Sequence, residues 1–152
     1  MPDAAAVLGD LITGVAHVGF VVEDLEVAVS DTCRLYGIDP QSVHWQPPRG
    51  ESAPTRFAFL SVGGLDFEFI EPVAAEFRQQ LLAQPSGGAG INHLAWLVSD
   101  IARAVSLLDR IGVRPGYVTP GGVVRIGERQ MVYLDPATTG GHLVELIQPA
   151  DP

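Results

Sequence analysis

Two stretches of this chain open alike. "GVAHVGFVVEDLEVAV" at 14–29 and "GINHLAWLVSDIARAV" at 90–105 place Gly14 on Gly90, His17 on His93, Asp24 on Asp100 and Ala28 on Ala104, each pair offset by 76. The endings agree too: Glu68 in "LDFEFIEP" falls on Glu145 in "HLVELIQP", and Pro72 on Pro149, both offset by 77. A slip of one residue over so long a span means that one folding unit is used twice.

Each copy reads as strand, helix, then strands. "VAHVGFVV" and "NHLAWLV" are short and rich in Val and aromatic residues, as strands are. Asp24 and Asp100 follow as N-caps of two helices. In the second helix Ile101, Ala104, Val105, Leu108 and Ile111 form one apolar stripe, stopped by Gly112. In the first, Leu25, Ala28, Val29, Thr32 and Tyr36 give a weaker stripe ending at Gly37. Strands are then expected at about 42–46, 56–62 and 65–70, the last two joined by a Gly63-Gly64 hairpin, and at about 116–126, 130–134 and 142–147, the last two separated by a loop ending in Gly140-Gly141. "VAAEFRQQLLAQ" at 73–84 reads as a connecting helix and "PSGGAG" as a flexible link. The expected fold is α+β: one domain of two βαβββ repeats, 14–72 and 90–149, joined by 73–89 and packed about a pseudo-twofold axis into a curved-sheet, barrel-like module.

Composition narrows the chemistry. The chain has 152 residues, 47% of them hydrophobic, enough for one buried core. Cys33 is its single cysteine, so a thiolate-rich metal site is excluded and any metal must be held by nitrogen and oxygen. A net charge of -9, with the arginines scattered, argues against nucleic acid as a partner. No apolar run approaches the roughly 20 residues that cross a bilayer, and "MPDAAAVLGD" lacks the pattern of a signal peptide, so a cytoplasmic protein is expected.

The middle of the first and last strand of each copy holds His17, Glu68, His93 and Glu145. A lone strand histidine is ordinarily a hydrogen-bonded core or edge residue, and a lone glutamate in alternating sequence faces water. Neither reading requires the same two residue types at matched positions twice. Strand parity at Glu68, between Phe67 and Phe69, allows the carboxylate to face either way. If both carboxylates face inward, each costs several kcal/mol unless paired or metal-bound. Two imidazoles and two carboxylates suit a divalent first-row cation, Mn, Co, Ni or Zn.

The repeat, with its His, Glu, His, Glu order, resembles the vicinal oxygen chelate superfamily, which includes glyoxalase I, methylmalonyl-CoA epimerase, bleomycin-binding proteins and extradiol dioxygenases. Within it "FAFLSVGGLDFEFIEP" and "VYLDPATTGGHLVELIQP" are most similar to the epimerase. The resemblance runs from about residue 14 to 149 and implies His17, Glu68, His93 and Glu145 as metal ligands, with Glu68 and Glu145 also moving the substrate proton. It implies a metal-dependent isomerase or epimerase for a small molecule, with an acyl-CoA as candidate substrate and a homodimer as the working form. A metal with open positions polarises a carbonyl and stabilises the enolate left by loss of the neighbouring proton, and a carboxylate contributes roughly 100- to 10,000-fold as general base. The same residues permit a glyoxalase I-type reaction on a thiol adduct, and a metal-free module that sequesters a flat ligand is the reading from a different class. An extradiol dioxygenase ordinarily has two such modules and needs one carboxylate only.

Two positions depart from the epimerase pattern: "RFAFLSV" offers Arg56 where some epimerases carry a further carboxylate, and Ala137 stands where a lysine is common. Arg49, Arg56, Arg125 and Arg129 remain as candidates for an anionic group. His44 is read as a surface residue, His142 as lying on the strand face opposite Glu145, and Cys33 as a small buried one.

Overall fold

The computed structural model describes residues 7–82 and 90–151. They form two compact units, one spanning 17–92 and the other combining the residues before His17 with those from His93 onward. The strand β1 (Ile12–Val21) runs from one into the other.

In the unit of residues 17–92, β1 leads to helix α1 (Leu25–Tyr36), then to β2 (His44–Gln46), β3 (Thr55–Val62), β4 (Leu65–Pro72) and a short helix α2 (Ala75–Leu81). The strand order is β2-β3-β4-β1, with β4 parallel to β1 and the other neighbours antiparallel. The other unit repeats this plan: β5 (His93–Val98), α3 (Ile101–Asp109), β6 (Val124–Ile126), β7 (Arg129–Tyr133) and β8 (Val144–Gln148), ordered β5-β8-β7-β6 with β8 parallel to β5. The α+β class and both βαβββ repeats are therefore present. A parallel pair needs a long crossover, and the helix with the strands after it supplies one in each unit.

Both helices start as the aspartates dictate. Asp24 accepts from Val27 N at 3.0 Å and Asp100 from Arg103 N at 2.9 Å. A second acceptor at each start was not read from the sequence: Glu71 Oε2 takes the Leu25 N–H at 2.6 Å and Gln148 Oε1 the Ile101 N–H at 2.8 Å. Each lies three residues beyond the strand glutamate of its unit, so the last strand holds the helix start that packs on it. Gly37 closes α1 at φ 67°, a left-handed conformation that only glycine adopts readily.

Packing decides the parity that the sequence left open. Leu25, Val29 and Cys33 of α1 bury against Ala58, Leu60 and Phe69, and Phe20 sits 5.1 Å from Phe67 and 5.0 Å from Phe69. The phenylalanines take the helix side, so alternation turns Glu68 to the other face. In the second unit Ile101, Ala104 and Leu108 of α3 bury against Val98, Val132 and Leu146, which turns Glu145 away from the helix as well. Cys33 is buried, as expected.

Several boundaries move. The strand expected over 116–126 survives only as β6, because residues 116–119 turn back onto β7 instead of running along it. Gly116 N donates to Tyr133 O at 3.0 Å, while Thr119 Oγ1 accepts from Tyr133 N at 2.7 Å and donates to Tyr133 O at 3.2 Å. The connecting helix is shorter than read, and most of the "PSGGAG" link lies outside the described residues. His142 precedes β8 in an exposed loop, so it has no strand face at all. Among the described residues no helix is long and apolar enough to cross a membrane.

The turn at Gly116 tolerates no side chain, because a Cβ there would stand 2.5 Å from Asp135 Cβ and 2.9 Å from its Cα. Gly116→Ala is expected to lower stability by about 1–3 kcal/mol through overpacking, measured by urea denaturation against wild type; an unchanged midpoint would show that the loop gives way freely.

Candidate functional site

The site residues are placed by strand register. In the first unit Gly19 of β1 lies beside Glu68 of β4, and His17, two residues earlier, shares their face. His17 Nε2 stands 3.5 Å from Glu68 Oε2, with side-chain exposures of 10% and 12%. In the second unit Ala95 of β5 lies beside Glu145 of β8, again with the histidine two residues earlier. His93 Nε2 is 3.2 Å from Glu145 Oε2, and the side chains are 0% and 5% exposed. The residue beside each carboxylate is Gly or Ala, which leaves the glutamate room to lean along the strand to its histidine. All four sequence-derived candidates are thus brought together as two pairs, one in each unit. Each pair offers an imidazole nitrogen and a carboxylate oxygen, the donor types that a first-row divalent cation takes.

Neighbours on the same faces differ between the units. Phe59 of β3 is the register partner of Glu68, stacks on Phe57 at 6.3 Å, and has the exposed His44 at 6.1 Å. His44 is at the surface as read, yet on the face of Glu68. In the second unit the partner of Glu145 is Tyr133, buried, with its hydroxyl 3.5 Å from His93 Nε2. Sequence reading missed Tyr133. A repeat comparison that allowed for the longer loop between β7 and β8 would have set it against Phe59.

The arginines sort by the same parity. Arg56 shares the helix side of β3 with Ala58, reaching Glu26 at 3.4 Å and Glu71 at 3.8 Å, so it does not face Glu68. Arg49 pairs with Glu26 at 2.6 Å and lies 5.1 Å from the Trp45 ring centroid. The Arg49 hydrogen bond, opposed by partial desolvation and aided by Arg56, holds the Glu26 carboxyl below its ordinary pKa. Arg125 is in register with Gln130, on the helix side of its hairpin. Arg129 is four residues before Tyr133 on β7 and shares its face. Of the four candidates for an anionic group, the fold puts Arg129 alone on a face that carries a His–Glu pair.

Comparison with known proteins gives the family. Residues 16–133 match the model of the glyoxalase/bleomycin resistance protein/dioxygenase superfamily. The chain belongs to that superfamily. The matched segment holds His17, Glu68, His93 and Tyr133 and stops before Glu145. No curated protein matches. Among solved structures, a methylmalonyl-CoA epimerase from Mycobacterium tuberculosis is 30% identical, with a TM-score of 0.67 over 93% of this chain and 91% of that one. A Streptomyces coelicolor methylmalonyl-CoA epimerase variant in complex with 2-nitronate-propionyl-CoA is 25% identical, with a TM-score of 0.64 over 92% and 99%. An epimerase in complex with methylmalonyl-CoA and NH4+ is 23% identical, with a TM-score of 0.66 over 91% and 96%, a likeness of fold. The superfamily and the resemblance to its epimerases both stand as the sequence indicated.

Ala95 is fully buried beside Glu145. Ala95→Leu should overpack this face, costing about 1–3 kcal/mol and pushing the carboxylate off His93. Thermal denaturation and a crystal structure of the variant check this, and a native melting temperature with the pair intact would contradict it.

Proposed function

We propose that this protein is a divalent-metal-dependent isomerase that moves a proton at the carbon beside a thioester carbonyl, with a methylmalonyl-type acyl thioester as substrate. The observation that carries the reading is the recurrence of one His–Glu pair at one register in both units, with His17, His93 and Glu145 buried and Glu68 half-buried. Burying such pairs is costly, and a shared cation offsets that cost. In this reading His17, Glu68, His93 and Glu145 hold one ion of Mn, Co, Ni or Zn. When bound, that ion supplies Lewis-acid polarisation of the substrate carbonyl.

The chain's own residues then move the proton. One of Glu68 and Glu145 accepts it as the C–H bond breaks and the electron pair delocalises into the carbonyl. The other returns a proton to the opposite face, so the carbon inverts with no net oxidation. The 30% identity to an epimerase over nearly the whole chain supports this outcome above the glyoxalase-type alternative, in which the proton reaches an adjacent carbon. A module that only sequesters a ligand has no use for a His–Glu pair repeated at one register. Arg56 is tied to two carboxylates on the helix side, away from the face of Glu68. In this reading Arg129, at the parity of Tyr133 on β7, meets the anionic part of a coenzyme A ester. The reading includes a cytoplasmic homodimer, and Val124 and Ile126, exposed on the short edge strand β6, are surface that a second copy would cover.

Deuterium incorporation from D2O into the α-carbon of methylmalonyl-CoA tests the reaction. Wild type should exchange and racemise the substrate, chelation should stop it, and added Co or Mn should restore it. Glu68→Gln and Glu145→Gln should each slow exchange by about 100-fold or more. Exchange that survives metal removal, or none with any acyl thioester, would rule the reading out. Arg129→Ala should raise KM for the coenzyme A ester by about 5- to 10-fold while leaving a short N-acetylcysteamine thioester unaffected; equal effects on both would remove Arg129 from recognition.

A further inference from the structure

The two units match at the site face in their histidines and glutamates and differ in the residue set opposite each glutamate. β3 sets Phe59 opposite Glu68, and β7 sets Tyr133 opposite Glu145. Phenylalanine would fill the place of Tyr133 equally well, so the hydroxyl needs its own explanation, because burying it costs free energy unless a polar group meets it. It lies 3.5 Å from His93 Nε2, the nitrogen that also faces Glu145 Oε2 at 3.2 Å, and the two rings meet edge-on, 5.2 Å between centroids.

The backbone that carries this hydroxyl is held differently from its counterpart. Phe59 sits between two regular strands, with His44 as its neighbour on β2. Tyr133 has the β8 ladder on one side and, on the other, the 116–119 turn, whose Thr119 hydroxyl both accepts from its N–H and donates to its carbonyl. That turn replaces the strand pairing found in the first unit, and Gly116 lets it approach. The backbone under the phenol is thus bonded on both sides, and the hydroxyl lies beside the histidine nitrogen.

We infer that Tyr133 is a catalytic hydrogen-bond donor to the substrate's carbonyl oxygen, a role that rests on the isomerase reading above. The hydroxyl keeps its proton throughout. Its bond to the oxygen strengthens as negative charge grows there during loss of the α-proton, so it stabilises the transition state more than the bound substrate. Opposite its glutamate the second unit sets this phenol, and the first sets a phenyl ring, Phe59.

Tyr133→Phe removes one oxygen atom and tests this. The readouts are metal content, KM and kcat for α-proton exchange, and the affinity for a 2-nitronate-propionyl thioester, a planar anion, by calorimetry. Metal content and KM should stay within about two-fold, while kcat and nitronate affinity both fall by about 100-fold. Unchanged kcat and nitronate affinity in an active protein would overturn the role of Tyr133 alone. Loss of metal from the variant would also overturn it, making Tyr133 a support for His93. A wild type that neither exchanges the proton nor binds the nitronate would overturn the isomerase reading, and this role with it.

Discussion

The parallel pairing of the first and last strand within each unit is the constraint on which the rest depends. It sets Glu68 beside Gly19 and Glu145 beside Ala95, and the histidine two residues earlier then falls within reach of the carboxylate. A shift of one residue in either register would send the glutamate to the helix side, among Phe67 and Phe69 or Val132 and Leu146. Protection against that shift comes from the opposite face, where the apolar set must meet α1 or α3.

That division of labour runs along single strands. Glu68 and Glu71 are three residues apart on β4 and face opposite ways, one toward His17 and the other toward the N-terminus of α1. Glu145 and Gln148 do the same on β8 with His93 and α3. The residue that fixes the helix and the residue that serves the site therefore belong to one rigid element, so helix packing and site geometry are set together. A buried histidine–carboxylate pair is by itself weak support for stability, and an apolar pair of similar volume would serve a core as well or better. Keeping two such pairs is a cost that a site explains and packing does not.

Much of this was legible in the residues. The repeat, both N-caps, the Gly63-Gly64 hairpin and the four paired residues follow from spacing alone. What was not legible depended on partners distant in sequence. Parity at Glu68 was ambiguous until Phe20 and α1 claimed the phenylalanines. Arg56, a candidate for an anion, is turned to the helix side by the same parity. The strand expected over 116–126 was shortened because Thr119 and Gly116 bond to Tyr133, a contact that no propensity signals. Tyr133 itself escaped because the loop between β7 and β8 is longer than its counterpart, so the fixed offset that aligned the glutamates slides past it.

The two His–Glu pairs are proposed to hold one cation in common, and metal stoichiometry tests this. Purified wild type, His17→Ala and His93→Ala, each shown to be folded, would be analysed for metal per chain by elemental mass spectrometry. A shared ion gives about one equivalent in wild type and close to none in either variant, because each loses a ligand from the same coordination sphere. About two equivalents in wild type with one kept by each variant, or no bound ion in any of the three after exposure to Co, Mn, Ni and Zn, would contradict the account.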